Sequence, residues 1–247
     1  MTGLTTIAIL ARRDVVRAFR QPARAAAVIG TPILIWILLG AGFAGAFAPG
    51  GSQPSEDYGA FLLPGMMALV ALFAAIMAAI ALIDDRNAGW LQGVIVAPVP
   101  RWSIASGRVA GAMIIAWIQS GLLLMAAPTV GISLTLSSML TLIALSGITS
   151  LALTALGVAI AMRCHSTASF HSAMNLIFMP MWLLSGAIFP IDSAVPWLAT
   201  IMTINPLSWP VTAMSSAIAG HLDMTSTVLA VSWAIAMLIA ATCSMRR

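Results

Sequence analysis

Residues 59–86 read GAFLLPGMMALVALFAAIMAAIALIDDR, a long run without a charged side chain that ends on Asp84, Asp85 and Arg86. As a helix, a run of some 25 residues extends about 37 Å, more than the roughly 30 Å of a bilayer's hydrocarbon core. A buried helix of a soluble protein can be as apolar, so the rest of the chain has to decide. Over 247 residues the composition is 61% hydrophobic and 7% charged, with mean hydropathy +1.03. Soluble domains carry about a quarter charged residues. With so little polar surface, the bilayer has to be the solvent.

Working outward, five further runs meet the span length, giving six candidates at roughly 26–47, 59–83, 109–131, 138–162, 170–189 and 224–244. All eleven basic residues are arginines, and they fall on alternate connections of this threading. Arg12, Arg13, Arg17, Arg20 and Arg24 precede the first run, Arg86, Arg101 and Arg108 lie between the second and third, Arg163 follows the fourth, and Arg246 and Arg247 end the chain. Arginine and lysine bias in short loops sets orientation, so these segments and both termini are expected on the cytoplasmic side of a plasma (inner) membrane. Ala46-Phe47-Ala48 has the look of a signal-peptidase site, but the apolar run is too long for a signal peptide and Pro49 follows it. The net charge of +4 is accounted for by topology, and no nucleic-acid partner is expected.

Residues 4–21 form an amphipathic pattern, with Leu4, Ile7, Ala8, Ala11, Val15, Ala18 and Phe19 on one face and Arg13, Arg17, Arg20 and Arg24 on the other. This predicts a basic helix at the membrane interface, ended by Pro22 and contacting lipid. Residues 190–223, broken by Pro190, Pro196, Pro206 and Pro210, are too interrupted for a span and too apolar for a free loop. Short re-entrant or interfacial helices on the outer face are expected there. The predicted architecture is therefore an all-α polytopic membrane protein: one domain over 1–247, with an interfacial helix at 1–24, six transmembrane helices, and an outer segment at 190–223 between spans five and six.

Enzymatic constellations do not emerge. The chain has no lysine and so no Walker A loop, and no Cys/His spacing for a metal. The apolar runs carry no charge in their middles, which disfavours an ion-coupled carrier. Catalytic, cofactor and metal sites are all expected to be absent, with ATP and magnesium belonging to a separate ATPase subunit. Cys164 and Cys243 fall at cytoplasmic ends, where a disulfide is not expected. Gly107 and Gly111, four residues apart, hint at a close helix contact.

The 84–108 connection holds an apolar stripe, Trp90, Leu91, Val94 and Ile95, ahead of Pro98 and Pro100. Periodicity alone is compatible with a helix docking a soluble partner or with one lying on the membrane. Its residues Asp85-Arg86-Asn87-Ala88-Gly89-Trp90-Leu91-Gln92, Ala97-Pro98-Val99-Pro100-Arg101 and Gly107-Arg108 follow an ordered pattern. Further along come Leu184-Ser185-Gly186-Ala187-Ile188-Phe189-Pro190, Pro196-Trp197-Leu198 and Asn205-Pro206-Leu207. Together these blocks resemble the permease subunits of type-2 ABC exporters, the group that includes daunorubicin-resistance and nodulation-factor export permeases. The chain departs from the family pattern where Asp85 replaces Glu and Asn87 and Gln92 replace acids, giving a less acidic loop.

The resemblance implies a six-span permease that pairs with a second permease subunit, identical or not, and with an ABC ATPase. The implied cargo is a drug, lipid or lipid-linked glycan; the alternative is an ATP-independent channel or ion-coupled carrier. The resemblance assigns ATPase coupling to Asp85, Arg86, Gly89, Leu91, Pro98 and Arg101. By the same analogy Met66, Phe73, Asn175, Phe178 and Trp182 line the substrate path, while Phe189, Pro190, Trp197, Asn205 and Pro206 shape an outer gate. Asn175, Phe178 and Trp182 share a helical stripe, and ordinary helix packing explains that stripe equally well.

Overall fold

The computed structural model describes residues 3–20, 22–43, 56–89, 101–130, 132 and 134–244. The described residues form nine α-helices and no strand. They are α1 (Gly3–Phe19), α2 (Pro22–Phe43), α3 (Glu56–Asn87), α4 (Arg101–Ala126), α5 (Leu136–Ala161), α6 (Thr167–Leu183), α7 (Pro196–Ile204), α8 (Ser208–Ile218) and α9 (Met224–Ser244). Short 3-10 turns occupy Ala127–Val130 and Ile191–Ser193.

Among the described residues, four helices are long and apolar enough to cross a membrane: Tyr58–Asn87, Trp102–Ala126, Leu136–Ala161 and Met224–Ser244. They match the second, third, fourth and sixth predicted spans. At the first, α2 contributes the shorter apolar stretch Gly30–Gly40. At the fifth, α6 starts three residues earlier than expected, with Ser166 accepting from the Ser169 N–H, and stops at Leu183 rather than at 189. Gly186, at φ +79°, turns the chain there. The third span also begins early: α4 starts at Arg101 rather than 109, which carries Arg108 two turns into the helix.

α3 and α5 form the centre. α3 packs against α2, α4, α5, α6 and α8, and α5 against α3, α4, α8 and α9. Small residues permit this approach: a Cβ on Gly157 of α5 would touch the Ala79 Cβ of α3 at 3.4 Å. The N-terminal half of α3 receives the end of α6 and the chain after it. A Cβ on Gly65 would stand 2.6 Å from Ala187, and the Trp182 indole N–H donates to the Gly65 carbonyl at 2.9 Å. Nearby, the Tyr58 hydroxyl donates to the Ile188 carbonyl at 3.2 Å.

Residues 190–223 do contain short helices, as their prolines imply. Pro196 opens α7 in the first turn, where its missing N–H costs nothing. α8 is mostly buried, whereas α7 leaves Trp197 67% exposed.

α1 meets the rest of the bundle through a narrow part of its surface. Thr6, Leu10 and Ala11 are its buried residues and it docks on α4, while Leu4, Ala8 and Phe19 remain exposed. The reason lies in the partner surface. Gly107 and Gly111 of α4 leave a shallow track: a Cβ on Gly107 would sit 2.8 Å from the Leu10 Cβ, and one on Gly111 would sit 3.1 Å from the Asp14 Cβ. The small-residue pair thus marks the helix contact its spacing suggests, and the contact is with α1.

Candidate functional site

The docking of α1 on α4 brings Asp14 to Arg108, and the last turns of α3 bring Asp85 to the same place. The Arg108 side chain is 0% exposed. Its Nη1 donates to both carboxylate oxygens of Asp14 at 3.2 Å, and its Nη2 donates to Asp85 Oδ2. From α1, Arg13 Nη2 also donates to Asp85 Oδ2, while Arg17 Nη1 reaches Asp85 Oδ1 at 3.0 Å. Arg13 bonds Asp14 as well, at 3.2 Å. Three arginines and two carboxylates therefore bind together helices that are far apart in the sequence.

Burying a guanidinium without partners would be prohibitive. Arginine's planar fork lets it meet two carboxylates at once, which lysine's point charge does not. Such a cluster fixes the relative placement of α1, α3 and α4 more than it adds net stability.

Arg86, the next residue, turns to another helix end. Its guanidinium donates to the carbonyls of Ala161, at 3.4 Å, and Cys164, at the C-terminus of α5. The terminal carbonyls of a helix lack intrahelical donors, and a cation there also complements the helix dipole. Gly89 then closes α3 at φ +74°, its N–H donating to the Arg86 carbonyl at 3.1 Å, a conformation that costs a residue with a Cβ.

The six expected coupling residues consequently separate. Asp85 and Arg86 are not displayed on a loop surface; their side chains are engaged by α1, α4 and α5. Gly89 is exposed. Leu91 and Pro98, with the Trp90–Ile95 stripe, lie outside the described residues, and Arg101 is described only as the first residue of α4. Asp14 was not singled out by the sequence reading, although it is the one acid in a segment with five arginines.

The path candidates separate too. Met66 and Phe178 are fully buried and Trp182 is 6% exposed, all within the core of a single chain. Phe73 is half-buried and Asn175 exposed. On α6 the two aromatics of the stripe are thus buried, and Asn175 is at the surface. Among the residues expected at an outer gate, Asn205 is a clasp: its Nδ2 donates to the Met181 carbonyl at 2.7 Å and its Oδ1 accepts from the Leu207 N–H at 3.2 Å. Ser208 ties the same turn to the Met202 carbonyl at 2.6 Å. Phe189, Pro190 and Pro206 are half-buried nearby in sequence, and Trp197 stands exposed on α7.

Long apolar helices around a charged, three-helix junction define a polytopic membrane protein with a built contact between its amphipathic N-terminal helix and its bundle. Residues 5–219 match the model of the ABC-2 type transporter family. The chain belongs to that family. It is 26% identical over 160 residues to a protein of Escherichia coli K12 named as a probable multidrug ABC transporter permease, YbhR. That match covers 63% of this chain and 42% of YbhR, so the chain aligns with less than half of that relative. It is also 26% identical over 211 residues to a transport permease named ycf38 of Cyanophora paradoxa, covering 82% of this chain and 70% of the relative. The ycf38 permease of Porphyra purpurea is 25% identical over 236 residues, 92% and 79% of the two chains.

Proposed function

We propose that this chain is the permease subunit of an ATP-driven exporter, with six spans, the arginine-bearing end in the cytoplasm, and a separate ABC ATPase docked beneath it. The family match supports a transport role, and the observation that carries the mechanism is the Asp14–Asp85–Arg108 junction. A push on the segment after Gly89 reaches α3 directly, and through Asp85 it reaches α1 and α4 together. The ATPase holds ATP and magnesium; this chain converts its movement into a shift of packed helices. Two permease subunits enclose the path, with Asn175 on the surface available to it and the Asn205 turn as part of the outer closure. The cargo is hydrophobic or amphipathic (a drug, a lipid or a lipid-linked glycan), because the long helices hold no charge at mid-span to meet a strongly ionic one. Purification in mild detergent should recover the chain with an ATPase. A monomer that transports without one would overturn this reading.

A further inference from the structure

The outward side of α1 bounds an open cleft of about 790 Å³ lined by Ile9, Arg12, Arg13, Val16, Arg17, Arg20 and Asp85. Four arginines face one carboxylate there. Asp85 is already shared with Arg108, and Arg13 and Arg17 are engaged with it. Arg12 and Arg20 are exposed and form no side-chain hydrogen bond or ion pair with any described residue. The chain offers little to neutralise them. Of its seven acids, Asp14 and Asp85 are in the junction, Asp84 does not line the cleft, and the other four lie at sequence positions 56, 57, 192 and 223, on connections of the opposite side of the threading. The 90–100 segment contains no acidic residue. Excess positive charge is thus combined with exposed apolar residues, Ile9 at 52% and Val16 at 41%, flanked along α1 by Leu4 at 74% and Phe19 at 60%.

We propose that this cleft binds the phosphate of an anionic phospholipid in the leaflet beside α1. Guanidinium groups meet phosphate oxygens in paired, charge-assisted hydrogen bonds. Ile9 and Val16 meet the glycerol and upper acyl carbons, a contact a free anion does not make. An acidic protein surface would match the charge but not the exposed leucine and phenylalanine at the two ends of α1. The proposal rests on the interfacial placement expected for α1 from its sequence and on the cytoplasmic side proposed for it, but not on the identity of the cargo or the ATPase.

The test is native mass spectrometry of the full chain released from membranes containing equal phosphatidylglycerol and phosphatidylcholine with the same acyl chains. The wild type should retain phosphatidylglycerol preferentially. Basic residues near an anionic surface contribute roughly fivefold each, so R12Q/R20Q should lose about thirtyfold of the preference. Neither residue has a partner to lose among the described residues, and an unchanged melting temperature verifies folding. R163Q, which removes an exposed arginine elsewhere in the chain, should leave the preference intact. Equal retention by wild type and R12Q/R20Q overturns the proposal, as does an equal loss in R163Q, which would make the effect general charge attraction. Displacement of the lipid by an equimolar amount of inorganic phosphate overturns it in favour of a free-anion site. A wild type that shows no lipid preference while the ATPase still co-purifies counts against this cleft alone; an ATPase that never co-purifies while the wild-type preference persists counts against the exporter reading alone.

Discussion

Replacing Arg108 by methionine removes the only fully buried charge of the junction while keeping much of the side-chain volume. Loss of one partner from a buried ion pair costs about 3–5 kcal/mol, because the charge left behind has neither water nor a partner. Here the remaining carboxylates are not abandoned: Asp85 keeps Arg13 and Arg17, and Asp14 keeps Arg13. Their side chains are also 11% and 12% exposed, so some water reaches them. The cost should therefore fall at the lower end, about 3 kcal/mol, or about 6–12 °C in melting temperature for a domain of this size. Thermal unfolding of the purified chain in one detergent reads this out. The double variant D14N/R108M separates pair from packing: it should recover part of the loss, since Asp14 faces Arg108 at 3.2 Å through both oxygens. If R108M melts within a degree of the wild type, or if the two substitutions are strictly additive, the junction does not hold α1 in place and the proposed transmission route fails.

Gly107→Val should displace α1, because even a Cβ there would lie 2.8 Å from the Leu10 Cβ; protease cleavage within α1 should rise while membrane insertion, measured by alkaline extraction, stays normal. On α6, Phe178→Ala should lower stability by about 3–5 kcal/mol as a core truncation, whereas Asn175→Ala should leave the melting temperature unchanged and alter which substrates are exported; the reverse assignment in a paired melting and transport assay would contradict the division of that stripe. At the start of α9, the Ser226 hydroxyl hydrogen-bonded to Asp223 holds its carboxyl below the usual carboxylate range, against an opposing desolvation, with the Ser226 and Thr225 backbone N–H groups adding to the effect. A lowered folded-state value stabilises the fold above the unfolded carboxylate range and is lost as pH falls through the folded one; melting curves should therefore drop more on acidification for the wild type than for D223N.

Much of the helix plan is legible in the sequence because length, hydropathy and arginine placement are one-dimensional properties. The runs behind α3, α4, α5 and α9 read directly, and Pro196 and Pro206 announce the broken outer segment. The direction of particular side chains is not legible. A helical wheel assigns Leu4, Ala8 and Phe19 to one face of α1, but the face that docks is chosen by the Gly107–Gly111 track on α4, where Leu10 and Asp14 fit. For the same reason Asp85 and Arg86 read as loop charges: their partners, Arg108 and the Ala161 carbonyl, are 23 and 75 residues away. Gly107 and Gly111 did signal a close contact, yet only the fold names α1 as the partner. Asn175 and Phe178 illustrate the limit at finer scale, since three positions on a helix differ by about 60° in azimuth, enough to put one in the core and the other outside.

The account stands most directly on ATP-dependent transport coupled through the end of α3. The chain, co-purified with the ATPase it binds and reconstituted in vesicles, should move an amphipathic dye only when ATP is present, with the ATPase recovered in complex. Gly89→Asp, at a residue exposed on a left-handed turn, should abolish both ATPase recovery and transport while the chain still inserts and folds. Dye movement that persists without ATP, or ATPase recovery unaffected by G89D and by Leu91→Glu two residues further on, would contradict it.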